Sequence, residues 1–492
     1  MALASTFVSH LVIDVGTSGI RTLVVRPDAT ITAEHYARML PSSPFQGAVE
    51  FDAAAMADAV LDLARRSLAE AGPVKSVGIT NQRASTIVWD RSTGEPVAPG
   101  VGWQDLRTAG MCLVLQAQGI RVAPNASATK LVYLLDLADP SRSRDLCFGT
   151  VDTWIAWQLS GGRLHVTDAS NAAVTGLTRL AAGTGALEWD PDLLRALNIP
   201  ASVLPSIIES CGVIGPAAVL DGEPPIAGIA GDQQSSLVGQ GCVRPGLAKI
   251  TFGTGGMLDV CVGPEQPAII GRGDAGTFPI VAWQAGGRIV WGVEAIMLSA
   301  GTCVDWLHQD LGLITSPSDS ATVAAACDAT GDVWFVPALL GLGAPVWDYG
   351  ARGTLLGLTR GTGRPEVVRA VLEGIAHRGA DLVEAAEQDG RITIDTLRVD
   401  GGMTAYSVFL QAVADATQRP IEVSPVVEAT ALGAGFLAGV ATGTWESIES
   451  LEGTWRPRMT IEPRPDRHHR ERWLEARDRS RNWLPDLSAL DF

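Results

Sequence analysis

The chain has 492 residues, 46% hydrophobic and 18% charged, enough for two to four cores at about 150 residues per domain. Its formal net charge is −17 and no long basic stripe is present, which excludes nucleic-acid binding through a phosphate-neutralising face. No uninterrupted run of about 18 apolar residues occurs, MALASTFVSH lacks the basic start of a signal peptide, and the seven cysteines (112, 147, 211, 242, 261, 303 and 327) show neither CxxC nor Cys/His metal spacing, so the reading is a cytoplasmic protein with reduced thiols and no membrane span.

Residues 10–25, HLVIDVGTSGIRTLVV, predict a hairpin: an apolar run into Asp14, a Gly-Thr-Ser-Gly turn, and a second β-branched run. It is not a P-loop, because GxxxxGK[ST] is absent and a strand follows the turn. Residues 52–71 predict a helix with Asp52 as N-cap and Gly72 as stop. KSVGIT (75–80) is a short buried strand leading to Asn81, Gln82 and Arg83, TIVWD (86–90) is another, and Val151–Leu159 is a helix capped or braced by Asp152. GCVRPG, 241–246, marks a boundary, after which LAKITFGTGGMLDVCV (247–262) repeats the strand, Gly-Thr turn and strand. Pro365 opens a helix over 365–388, at the position where proline is tolerated. LRVDGG (397–402) is a strand ending in a glycine turn that Asp400 orients, and 425–440 is a small-residue helix or helix pair. The Arg-rich tail, 456–481, reads as a solvated terminal helix; His165 and His377 read as structural, and His468–His469 lack partners for a metal site. Strands and helices alternate throughout, so the class is α/β.

The chemistry concentrates in residues 226–256, IAGIAGDQQSSLVGQGCVRPGLAKITFGTGG. Asp232 stands about twenty residues before the turn Gly253, Thr254, Gly255. Gly and Thr at a tight turn let backbone amides and a hydroxyl approach a polyphosphate. A carboxylate among small residues, beside Gln233 and Gln234, can take a proton from an alcohol. Each hairpin alone is an ordinary glycine turn. As a pair about 240 residues apart, with Asp232 before the second, they point to two similar halves. Each half would offer one phosphate loop to a shared cleft, for phosphoryl transfer from a nucleotide to a hydroxyl.

Several segments then resemble one family. GITNQRASTIVWD (78–90), FGTVDTWIAWQLSGGRLHVTDASNA (148–172), GIAGDQQSSLVGQ (228–240), GLGAPVWDYGARG (341–353) and GTLLGLTRGTGRPEVVRAVLE (353–373) are similar to segments of the FGGY carbohydrate kinases, and within them of the glycerol kinases. The resemblance runs from about Leu11 to Trp445; a weaker signature over 126–138 keeps Thr129 and Lys130 but has Tyr133 where the family prefers tryptophan. It implies two actin-like (ribonuclease H-like) domains flanking a catalytic cleft, residues 1–243 and 244–492, the second including the Arg-rich terminal helix. It also implies ATP-dependent phosphorylation of a small polyol such as glycerol, and permits a homodimer or homotetramer.

By this resemblance Asp232 is the catalytic base, and Arg83, Trp103, Asp232 and Gln233 form the polyol pocket. Asp14, Gly16, Thr17, Ser18 and Arg21 belong to the first phosphate loop, and Thr254, with Gly253 and Gly255, to the second. Gly301 and Gly402 lie on the nucleotide side, with Asp305 and Tyr406 at the adenine, and Mg²⁺ sits between Asp14, Asp232 and the phosphates.

The chain also departs from its resemblance. Ala84 stands where glycerol kinases have a glutamate, Asn125 where they have a pocket tyrosine, and Met257 where they have an aromatic. The pocket gains room, so a four-carbon polyol or ketose (erythritol, threitol, erythrulose) is a second candidate. A non-catalytic sugar or nucleotide sensor on the same fold is a third. Residues 211–226 contain no counterpart of the fructose 1,6-bisphosphate loop of some enteric glycerol kinases.

Overall fold

The computed structural model describes residues 8–490 apart from 183, 270 and 466–468. Thirteen strands form one sheet, and their order repeats a layout. In the first half, β1 (His10–Val15), β2 (Gly19–Val25) and β3 (Ile31–Arg38) are antiparallel neighbours, and β4 (Ser76–Asn81) runs parallel to β1. Beyond it come β5 (Cys211–Pro216) and β6 (Pro225–Gly231), antiparallel to each other, with β6 parallel to β4. The second half has β7 (Ala248–Phe252) and β8 (Gly256–Gly263), then β9 (Phe278–Ala285) and β10 (Arg288–Met297), with β8 between β7 and β10. Parallel to β7 lies β11 (Leu397–Asp400), then β12 (Ile421–Val423) parallel and β13 (Met459–Ile461) antiparallel. Three antiparallel strands, two parallel ones and a closing antiparallel strand thus occur in each half, the second half adding β9 as a fourth antiparallel strand. The two halves join at a single registered pair, Cys211 opposite Ala285.

Helices cover this sheet. α1 (Ala53–Ala71) starts where Asp52 accepts from the Ala55 amide at 2.9 Å, buries Met56, Val60 and Leu63, and stops at Gly72 with φ +81°. α2 (Ser127–Ala138) and α3 (Val151–Ser160) follow, and α4 (Asp232–Gly239) begins directly at the end of β6. The 27-residue α5 (Arg364–Gly390) packs Val368, Val371, Ile375 and Leu382 into the second core, with Ile250, Phe252 and Leu258. Residues 425–440 hold one helix, α6 (Ala429–Ala441), rather than a pair, and 425–428 lead into it.

α6 comes from the second half but packs into the first. A Cβ at Gly78 of β4 would lie 2.3 Å from the Ala434 carbonyl, and one at Gly228 of β6 would lie 2.5 Å from the Ala438 nitrogen. On its other side a Cβ at Gly433 would meet the Ser235 carbonyl of α4 at 1.8 Å. Glycine at these positions lets helix backbone touch sheet and helix backbone directly, which is why so many small residues recur here.

The tail corrects its sequence reading. Instead of a solvated helix over 456–481 there is strand β13, then α7 (Arg470–Arg479), which buries Trp473 and Ala476. Arg470 and Arg477 of α7 pair with the buried Asp381 of α5 at 2.7 and 3.3 Å, and Trp473 stacks on His377. The mixture of Arg and Glu around one Trp and one Ala hid this face. Of the His468–His469 pair, His468 lies outside the described residues. Asp152 braces rather than caps α3: it accepts from the Thr150 hydroxyl and, at 2.9 Å, from Thr167. Burial, with the nearby Asp168, pushes its carboxyl up to about 7. His165 is structural, with Nε2 2.8 Å from the Phe148 carbonyl and its ring edge-on to Trp89 and Trp157. All seven cysteines are free, and among the described residues no helix is long and apolar enough to cross a membrane.

Candidate active site

The first Gly-Thr turn connects β1 to β2. The Gly16 amide bonds the Gly19 carbonyl at 2.9 Å, which closes the turn, and the Ser18 side of it is held by the Met39 amide at 3.1 Å. Asp14, at the end of β1, sits opposite Arg21 in register. The Arg21 guanidinium is engaged by Glu34 at 2.9 Å and by Glu428 at the start of α6, so it neutralises the base of the turn rather than extending from it. Burial pushes the Asp14 carboxyl up to about 7; Arg21 opposes this, and the nearby Asp232 and Glu428 add to it.

The second turn connects β7 to β8. Its Gly253 and Thr254 carbonyls accept from the Gly301 and Ala300 amides at 2.8 and 2.9 Å, which leaves the Thr254 side chain exposed. A Cβ at Gly301 would meet the Gly253 carbonyl at 2.6 Å, so glycine is required there. Gly401, at φ +92°, lies against Phe252, and the following Gly402 faces open space. Asp305 and Tyr406 stand close enough that, after burial, the Asp305 charge raises the Tyr406 phenol pKa.

Asp232 is the first residue of α4 and still 32% exposed at its side chain. Its Oδ1 accepts from the Gln233 amide at 2.8 Å and pairs with Arg83 Nε at 3.3 Å. Desolvation by the surrounding protein raises its pKa; Arg83, the Gln233 amide and Lys249 pull the other way. Arg83 also donates to Glu294 at 2.6 Å, and Gln233 accepts from Lys249 at 2.7 Å. Trp103 is anchored at its backbone: its amide bonds Ser85 at 3.1 Å, and its carbonyl accepts from the buried Lys130 at 3.0 Å. Its indole N–H donates to the Thr17 hydroxyl at 3.1 Å.

The structure therefore brings Arg83, Asp232 and Gln233 together, sets Trp103 against the first turn, and groups Gly301 and Gly402 around the second. Ala84 is buried at φ +60°, and its carbonyl accepts from Ser127 at 3.0 Å, which carries the segment after Asn125 to the Arg83 loop. Asn125 itself is exposed, and Met257 is half-buried between Thr251 and Ile296.

Two groups escaped the sequence reading. One is a row of charges across the second half of the sheet: Lys249, Asp259 and Glu294 are register partners on β7, β8 and β10. Each is a charge set within an apolar run, and that was the available signal. The other lies under the ends of β4 and β6. Asp168 accepts from Ser170, Asn171 and Ser210, Asn171 pairs reciprocally with Asn81 at 3.0 and 3.1 Å, and Ser170 accepts from the Gly231 amide at 3.0 Å. This network fixes the backbone next to both Arg83 and Asp232.

Comparison with known proteins agrees with this geometry. Residues 9–239 match the N-terminal domain, and 248–442 the C-terminal domain, of the FGGY family of carbohydrate kinases. A glycerol kinase of Aromatoleum aromaticum is 41% identical over 96% of this chain and 99% of its own length, and glycerol kinase 2 of Thermotoga maritima is 37% identical over the same shares. The crystal structure of Plasmodium falciparum glycerol kinase with ADP superposes with a TM-score of 0.88 at 28% identity, over 97% of this chain and 99% of that one. A xylulose kinase from Lactobacillus acidophilus, at 22% identity and a TM-score of 0.86 over 97% and 99% of the two chains, shares the fold. Two actin-like domains and matches across both halves lead to one conclusion: the chain belongs to the FGGY family of carbohydrate kinases.

Proposed function

We propose that the protein transfers the γ-phosphoryl group of ATP to a terminal hydroxyl of a small polyol, glycerol being the first candidate. The observation that carries this reading is the Arg83–Asp232 pair at 3.3 Å, with the Asp232 charge acting on Asp14 at the edge of the first Gly-Thr turn. Asp232 accepts the proton of the attacking hydroxyl, a contribution of about 10²–10⁴ in rate. The hydroxyl oxygen then forms the new bond to γ-phosphorus as the bond to the β–γ bridging oxygen breaks, releasing ADP. Positioning and charge stabilisation do most of the rest in such transfers. Gly16, Thr17 and Ser18 hold phosphate oxygens from one half, and Gly253, Thr254 and Gly255 from the other. Gly301, Gly402, Asp305 and Tyr406 accommodate the nucleoside. Arg83 and Gln233 hold polyol oxygens, and Trp103 covers the carbon chain.

Asp14 and Asp232 fit a magnesium ion. Both are hard oxygen donors, the Asp232 charge raises the Asp14 pKa, and among the described residues no side chain donates a hydrogen bond to Asp14. When bound, the ion supplies charge neutralisation at the phosphates.

The small side chain at Ala84, where glycerol kinases carry a glutamate, favours a second acceptor class, four-carbon polyols and ketoses, because it leaves more room in the acceptor pocket. The test is ADP release measured over a panel of polyols and ketoses. ATP binding with no polyol-dependent ADP release would overturn the kinase reading in favour of a sensor.

A further inference from the structure

The polyol pocket is drawn from both halves of the chain, and one residue of the second half is decisive. We infer that Glu294 is a positioning residue: it holds the Arg83 guanidinium in the orientation that receives the polyol, without touching the polyol itself. The inference rests on the polyol-kinase reading.

Arg83 follows β4 of the first half, and Glu294 lies on β10 of the second. Each edge of the guanidinium has a distinct assignment. Nε faces Asp232 at 3.3 Å, and Nη2 donates to Glu294 at 2.6 Å. Nη1 is buried and, among the described residues, without a hydrogen-bond partner. A buried donor left open beside the candidate base is the edge available to a substrate oxygen, since leaving such a group unpaired is costly.

The sheet dictates why Glu294 reaches for Arg83. Glu294 is 5% exposed and stands directly beside Asp259, which is wholly buried. Two adjacent buried carboxylates are stable only if each has a cation. Asp259 has Lys249 at 2.8 Å, and Lys249 is further occupied by Gln233. The next row of the same face holds Thr251, Met257 and Ile296, none of them cationic. Among the described residues the other cation that reaches Glu294 is Arg83, from the first half of the chain. The ion pair thus ties the second half of the sheet to the loop after β4 in the first.

Steady-state kinetics with glycerol and ATP test this on the full-length protein. Glu294→Ala is expected to raise the polyol KM about tenfold or more, the scale of losing one charged hydrogen bond, with ATP KM changed by less than about twofold and kcat falling less than KM rises. Glu294→Gln keeps the shape and a neutral acceptor, so its polyol KM falls between those of the parent and Glu294→Ala. This isosteric variant decides the matter if the alanine variant does not fold. A working parent with both variants retaining its polyol KM, or with all three parameters shifting together alongside a lower unfolding temperature, overturns the inference alone. A parent that phosphorylates no polyol overturns the kinase reading, and this inference with it.

Discussion

The indole N–H of Trp103 and the hydroxyl of Thr17 are 3.1 Å apart, so a side chain of the proposed acceptor pocket is tied to the first Gly-Thr turn. The backbone of Trp103 is fixed independently through Ser85 and Lys130. Trp103→Phe therefore removes this one bond while keeping a ring in place. Both the polyol KM and the ATP KM are expected to rise together, by about 3–10-fold, the scale of one neutral hydrogen bond. Initial rates over a grid of both substrates measure it; a change confined to the polyol would show that the turn does not depend on the tryptophan.

Asp232→Asn removes the proposed proton acceptor but no contact near Gly301, Gly402 or Tyr406. Turnover is expected to fall at least about 10²-fold while nucleotide binding, followed by calorimetric titration, persists. Turnover within about threefold of the parent would remove Asp232 from the role of base.

Substrate choice is expected to follow Ala84 and Asn125. At least one four-carbon polyol or ketose should match or exceed glycerol in kcat/KM. Ala84→Glu combined with Asn125→Tyr should shift the ratio towards glycerol by about 1–3 kcal/mol, one or two recovered hydrogen bonds. A parent that prefers glycerol more than about tenfold over every four-carbon candidate would disprove the enlarged pocket.

Stability is expected to fall on mild acidification because of two histidines. Burial pulls His10 down to about 4, helped by Lys75, and burial pulls His165 down to about 4 as well. Above the usual value of about 6.5, both are neutral folded or unfolded. Between 6.5 and 4 the unfolded chain takes up protons that the folded chain refuses, so stability declines as pH falls through this window and the loss is complete below 4. Each contributes at most about 3 kcal/mol. Chemical unfolding at pH 7 and pH 5 should show a smaller pH difference in His165→Gln than in the parent.

Local features were legible in the sequence, and register was not. Both strand-turn-strand units, the Asp52 cap and the proline start of α5 depend on residues within a few positions of one another, and they stand as read. The grouping of Arg83, Asp232 and Gln233 was reached through resemblance to a family, because nothing local links residue 83 to residue 232. The Lys249, Asp259, Glu294 row was missed because its members lie on three strands, and only the pairing of β7 with β8 and β8 with β10 aligns them. α7 was misread because Arg and Glu surround its single buried tryptophan, and α6 was left open because its small residues carry no period that separates one helix from two.

The packing of α6 against β4, β6 and α4 also governs how the protein is born. The first half emerges from the ribosome with that face of its sheet bare, and its cover arrives about 200 residues after α4, between Ala429 and Ala441. At roughly 5–20 residues per second the wait is about 10–40 s. During it the small-residue groove at Gly78 and Gly228 is open to any other nascent helix. The last quarter of the chain thus completes the first domain, and synthesis interrupted before α6 yields an unfinished first half rather than a free-standing one.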